Sequence, residues 1–64
     1  MKNKVKELRK SQKLTQEELA ELIGISRQAI NAIEKEKFDP SLPTAFKMAK
    51  LFDLSIEKIF LFKE

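Results

Sequence analysis

Arg27, Gln28 and Asn31 fall within the segment ISRQAINAIEK, where they can share a helix face with Ala32 and Lys35. At about 100° per residue, Ser26, Ala29, Ile30 and Ile33 take the opposite side. The outward strip holds one guanidinium, two carboxamides and an ammonium, and it carries no acid. A guanidinium is a planar fork of donors that matches the O6 and N7 acceptors of guanine. A carboxamide carries one donor and one acceptor side by side, which matches N6 and N7 of adenine. The methyl of Ala32 can meet a thymine methyl, or simply let the helix lie close to a surface. The plainer reading is the solvated face of an ordinary helix, but such a face is usually laced with glutamates. Amides and arginine without acids favour hydrogen bonding to base edges.

Such a strip needs a helix held at a fixed angle. Thr15 and Glu18 have the spacing of a capping box, so a helix is expected to open at about Gln16. Leu19, Ala20 and Ile23 give it an apolar stripe, which stops at Gly24, the only glycine in the chain. A glycine there can take the left-handed conformation that ends a helix. Ser26 then supplies an N-cap, and Ile30 and Ile33 anchor the next helix. Two helices joined by a short glycine turn make a helix-turn-helix, whose second helix can enter a major groove of DNA.

Composition limits the alternatives. Sixty-four residues suffice for one small domain, expected to span 1–64, with a modest core. There is no cysteine and no histidine, which removes thiolate nucleophiles, disulfides, zinc-finger ligands and the usual general base. The chain is therefore read as a non-enzyme with no metal and no cofactor. No apolar run approaches the roughly 18 residues of a membrane span, and no signal peptide is recognisable, so a cytoplasmic, nucleoid-associated location and no membrane partner are expected. The net charge of +3 is unevenly placed. Residues 1–14 carry six basic side chains against Glu7, whereas Glu17, Glu18 and Glu21 make residues 15–23 acidic. A basic rim suits phosphates, although part of it can serve solubility alone.

The remaining chain reads as further helices. Helix 1 is expected from about Asn3 or Lys4 to Gln12, with Val5, Leu8 and Gln12 turned inward. Pro40 disfavours helix at Asp39, so Glu36 to Pro40 is a loop. Ser41 should cap a fourth helix with Pro43 in its first turn and Leu42, Ala45, Phe46, Ala49 and Phe52 as its apolar stripe. Ser55 should cap a short helix from Ile56 to Phe60, with Leu61, Phe62 and Lys63 extended. The five phenylalanines are assigned to the core ahead of nucleotide stacking, Phe46 and Phe52 above all. Ile59, Phe60, Leu61 and Phe62 form an apolar run that needs cover, from the chain's own N-terminal residues or from a second subunit.

Gln16, Ala20, Gly24, Ile30 and Ile33, with TQEELA ahead of the turn and ISRQAINAIEK behind it, resemble the lambda-repressor-like, or Cro/Xre-type, helix-turn-helix family over nearly the whole chain. The resemblance implies an all-α, five-helix domain with a short β-ribbon formed by the termini. It implies a DNA-binding transcriptional regulator, most simply a repressor. Arg27, Gln28, Asn31 and Ala32 would meet bases, while Gln16, Ser26, Lys35 and Lys37 would hold phosphates. Arg9 and Glu34 match positions that form an ion pair between the first helix and the recognition helix. The ending IEKIFLFKE resembles the minimal dimeric members, implying a homodimer interface at Ile56, Ile59, Phe60, Leu61 and Phe62. The family has glycine where this chain has Glu36, so a left-handed backbone there would strain it by on the order of 1 kcal/mol.

The expected partners are a double-stranded, pseudo-palindromic DNA operator and a second copy of the chain, with no small-molecule effector. A competing reading is an antitoxin-like protein-interaction module that binds DNA secondarily.

Overall fold

In a computed structural model that describes residues 1–63, five helices and a terminal ribbon surround one core. The elements are β1 (Lys2–Asn3), α1 (Val5–Ser11), α2 (Gln16–Ile23), α3 (Arg27–Glu34), α4 (Leu42–Phe52), α5 (Ile56–Ile59) and β2 (Phe60–Leu61). The two strands pair antiparallel, with Lys2 opposite Leu61 and Asn3 opposite Phe60. This is the five-helix domain with a terminal β-ribbon that the resemblance implies. Helix 1 starts later than expected, because Asn3 is taken into the ribbon, and Gln12 is exposed rather than inward.

Three helices begin as their caps dictate. The Thr15 hydroxyl accepts the Glu18 amide while the Glu18 carboxylate accepts the Thr15 amide, completing the capping box. Ser26 accepts from the Ala29 amide and Ser41 from the Thr44 amide. Ser55 differs, since its hydroxyl makes no capping bond; its carbonyl instead accepts the Lys58 amide at 3.0 Å.

The helix ends share one device. Lys13, Gly24, Glu36 and Asp53 all have positive φ, at 58°, 87°, 63° and 55°. In each case the next residue reaches back across the end of its helix: Leu14 to the Arg9 carbonyl, Ile25 to Ala20, Lys37 to Ala32 and Leu54 to Ala49, at 3.0–3.1 Å. That six-to-one bond closes the last turn, and at Arg9, Ala20 and Ala49 the same carbonyl also accepts a second amide, from Gln12, Gly24 and Asp53. After three of the four ends the reaching residue is apolar and packs against the core, as Leu14, Ile25 and Leu54 do. The chain thus turns sharply after α1, α2, α3 and α4, and glycine serves at only one turn.

Val5, Leu19, Ile23, Ile30, Ile33, Met48 and Ile59 are wholly buried and tie every helix to the centre. The stripe assigned to α4 needs correction. Its inward face is Thr44, Ala45, Met48 and Phe52, while Leu42 and Phe46 are 65% and 53% exposed. The apolar side chains of this helix cover a wider arc than its neighbours can bury, so periodicity alone places the stripe one residue off. Phe38 and Phe62 also lie exposed, leaving Phe52 and Phe60 as the core phenylalanines.

Candidate nucleic-acid interface

The helix-turn-helix consists of α2 and α3, which pack on each other through Leu19, Ala20, Ile23, Ile30 and Ile33. Gly24 makes the turn between them. A Cβ on it would meet nothing closer than Lys47 Nζ at 3.9 Å, so backbone conformation rather than crowding calls for glycine there. The first residue of α3, Arg27, follows three positions later, directly after the Ser26 cap.

On α3, Arg27, Gln28 and Lys35 are exposed, and Arg27 and Gln28 make no side-chain hydrogen bond among the described residues. They are free to engage a ligand. Asn31 and Ala32 are half-buried, so the strip is not uniformly outward. Asn31 sits in the notch beside the start of α2, where its Nδ2 approaches Gln16 Oε1 at 3.5 Å. Gln16, half-buried, donates from Nε2 to Glu34 Oε1 at 3.1 Å. The side chain assigned to a phosphate is therefore also a strut between α2 and α3. Ser26 is exposed; its oxygen accepts the Ala29 amide at 3.1 Å, which leaves the hydroxyl proton available for an anion. Lys37 is exposed on the loop beyond α3.

Beneath this face lies an ion pair. Arg9 Nε donates to Glu34 Oε2 at 2.7 Å and Nη2 to Oε1 at 3.2 Å, while Nη1 donates to the Leu14 carbonyl at 2.8 Å. The two side chains are 10% and 3% exposed. The guanidinium fork is satisfied on both sides, which is the condition under which a buried charge pair is tolerated. It fixes the C-terminal end of α3 against α1.

Sequence reasoning missed Asn3. Its Nδ2 donates across the fold to the Ile33 carbonyl at 2.8 Å, and its Oδ1 accepts the Val5 amide at 3.1 Å. One side chain thereby starts α1 and adds a second donor, beside the Glu36 amide, to a carbonyl in the last turn of α3. An asparagine before a helix is a recognisable start signal, but the bond to Ile33 spans thirty residues and has no local signature.

The five residues assigned to a dimer surface differ in exposure within the protomer. Ile59 and Phe60 are 0% and 6% exposed because their side chains fill the protomer's own core, and Ile56 is half-buried. Leu61 and Phe62 do face outward. Phe62 borders an open, largely apolar groove of about 330 Å³ whose walls include Met1, Pro40, Leu42, Ile56 and Phe60. Among the described residues no group of three His, Cys, Asp or Glu side chains could hold a metal ion, and no helix is long and apolar enough to cross a membrane.

This arrangement of five helices, with a glycine turn between α2 and α3, matches a family described as helix-turn-helix over residues 5–59. The chain belongs to the helix-turn-helix family. Its relatives include an HTH-type transcriptional regulator of Methanocaldococcus jannaschii, 56% identical over 64 residues, covering 100% of this chain and 97% of that protein. The HTH-type transcriptional regulator YgzD of Bacillus subtilis is 47% identical, again over 100% of this chain and 97% of the relative. Among solved structures, the restriction-modification controller protein C.AhdI of Aeromonas hydrophila aligns with a TM-score of 0.78 at 32% identity, covering 89% of this chain and 86% of that one. The Cro/Xre-type resemblance drawn from TQEELA and ISRQAINAIEK thus stands in both sequence and fold.

Proposed function

We propose that this helix-turn-helix transcriptional regulator is a sequence-specific repressor that acts as a homodimer on a pseudo-palindromic operator, with α3 in the major groove. The observation that carries the reading is the contrast along α3. Ile30 and Ile33 are wholly buried and Glu34 is locked to Arg9, yet Arg27 and Gln28 project from this rigid base with no protein partner among the described residues. Unengaged base-reading groups carried on a rigidly held helix are what direct readout needs. Arg27, Gln28, Asn31 and Ala32 meet bases. Gln16, Ser26, Lys35 and Lys37 set the register on phosphates.

Dimerisation runs through the outward apolar surface of Phe62 and Leu42 at the open groove together with exposed Leu61, rather than through Ile59 and Phe60. Half-sites one helical turn of DNA apart require the two-fold axis to hold the two α3 helices about 34 Å apart. Cytoplasmic location follows from that role. Selection of bound duplexes from a random pool tests the whole reading. The expected product is two inverted half-sites at one-turn spacing; a pool with no enriched sequence, or a single unrepeated half-site bound by a monomer, overturns it. Exposed Leu42, Phe46 and Phe62 also suit a protein partner of another kind, and an unenriched pool would favour that antitoxin-like role.

A further inference from the structure

Four polar side chains form a directional chain from α1 to the face of α3. Arg9 donates to Glu34, Glu34 accepts from Gln16 Nε2 at 3.1 Å, and Gln16 Oε1 faces Asn31 Nδ2 at 3.5 Å. The last link is at the long limit of a hydrogen bond and acts by orienting the amide. The direction of the chain follows from chemistry. A guanidinium only donates and a carboxylate only accepts, so the group that Gln16 turns to Glu34 must be its NH2. Its carbonyl then faces α3, and Asn31 must turn its own NH2 toward that carbonyl. The Asn31 Oδ1 and the second Nδ2 proton are left for a ligand. That is the acceptor-and-donor order that adenine requires.

We propose that Glu34 is a positioning residue for sequence reading: through Gln16 it fixes which way round the Asn31 carboxamide is presented to the bases. The inference rests on the reading that Asn31 meets DNA, and it separates two carboxamides of similar chemistry. Gln28 is exposed and has no such partner, so its amide turns freely and tolerates more than one base. Asn31 arrives already oriented and discriminates.

Glu34→Gln keeps the size of the side chain and reverses the logic. Arg9 keeps its shorter bond, from Nε at 2.7 Å, to the new carbonyl, so the new NH2 stands at the Oε1 position facing Gln16 and the 3.2 Å bond from Nη2 is given up. Gln16 flips and sends its NH2 to Asn31, which turns Oδ1 inward and both amide protons outward, toward an acceptor-only edge such as guanine. The base pair concerned is the one whose discrimination is lost in Asn31→Ala. At that pair the preference for adenine over guanine should fall on the order of tenfold in Glu34→Gln, with the pair read by Arg27 unaffected. Gln16→Ala, which leaves the ion pair whole, should lower the same preference, and adding Glu34→Gln to it should change the ratio no further. In the DNA-free protein, the side-chain amide NMR signals of Asn31 should move in Glu34→Gln while those of Gln28 stay in place. Unmoved Asn31 signals, or an unchanged base preference in a variant that melts as a folded protein, would overturn the proposal. A wild-type protein with no base preference at any pair would instead remove the DNA-reading role, and the amide signals would still decide whether the relay exists.

Discussion

Replacing Glu36 by glycine should stabilise the protein. Glu36 closes α3 with φ at 63°, and the bonds around it are fully made: its own amide reaches the Ile33 carbonyl and the Lys37 amide reaches the Ala32 carbonyl, both at 3.0 Å. The turn therefore stays in place whatever the side chain. A left-handed backbone costs an L-residue about 1–2 kcal/mol, because Cβ crowds the following carbonyl oxygen. Glycine avoids that cost but adds freedom to the unfolded chain, which offsets about 0.4–1 kcal/mol. The net gain is about 0.5–1 kcal/mol, or a rise in Tm of about 4–7 °C for a domain of this size. Thermal melts followed by circular dichroism read it directly.

Gly24→Ala supplies the converse. Space is open at that site, with 3.9 Å to the nearest atom, so its whole penalty is backbone strain and Tm should fall by a similar amount or more. An unchanged or lower Tm in Glu36→Gly, alongside a clear loss in Gly24→Ala, would refute the reasoning. It would mean that the Glu36 side chain contributes enough at this turn to offset its strain.

Other substitutions divide the site into structural and reading parts. Glu34→Ala strands the buried Arg9 guanidinium and should cost about 3 kcal/mol, seen as a lower urea midpoint before any change in base preference. Asn3→Ala removes the bonds to the Ile33 carbonyl and the Val5 amide, and should cost about 1–2 kcal/mol, with faster hydrogen exchange at the end of α3 as its signature. Gln28→Ala should lower affinity for the selected operator more than for random duplex, by roughly 1–3 kcal/mol, in fluorescence-anisotropy titrations. Lys37→Ala should weaken both duplexes alike and flatten the dependence of binding on salt by about one charge. Equal losses on operator and random DNA for Gln28→Ala would contradict its assigned role.

The motif was legible because its signals are local. Thr15 with Glu18, Gly24 and Ser26 each act within a few residues of their own position, and the helices start and stop where those residues require. Lys13, Glu36 and Asp53 show the limit of that logic. They hold the same left-handed turn as Gly24 without being glycine, because an apolar residue packed on the core, or in one case a lysine amide, completes the six-to-one bond. Tertiary packing there outweighs a local preference of about 1 kcal/mol, and no window of sequence displays it. Phe46 was misplaced for a related reason. Leu42, Ala45, Phe46, Ala49 and Phe52 satisfy a helical stripe, but so does the face built on Ala45, Met48 and Phe52, and the choice depends on where α2 and α5 lie.

The candidate site divides along the same line. Arg27 and Gln28 could be placed outward because a short helix with two buried isoleucines leaves them nowhere else to go. Asn31 could not, since its surroundings come from Gln16, fifteen residues earlier, and from the Arg9 and Glu34 pair that joins α1 to α3. Residue type states which hydrogen bonds a side chain can make. Which of them remain for a ligand is decided by partners distant in sequence, and here Gln16 already faces one Nδ2 proton of Asn31. Under the proposed relay, sequence reading by this protein depends on Glu34 and Gln16 as well as on the side chains assigned to the bases.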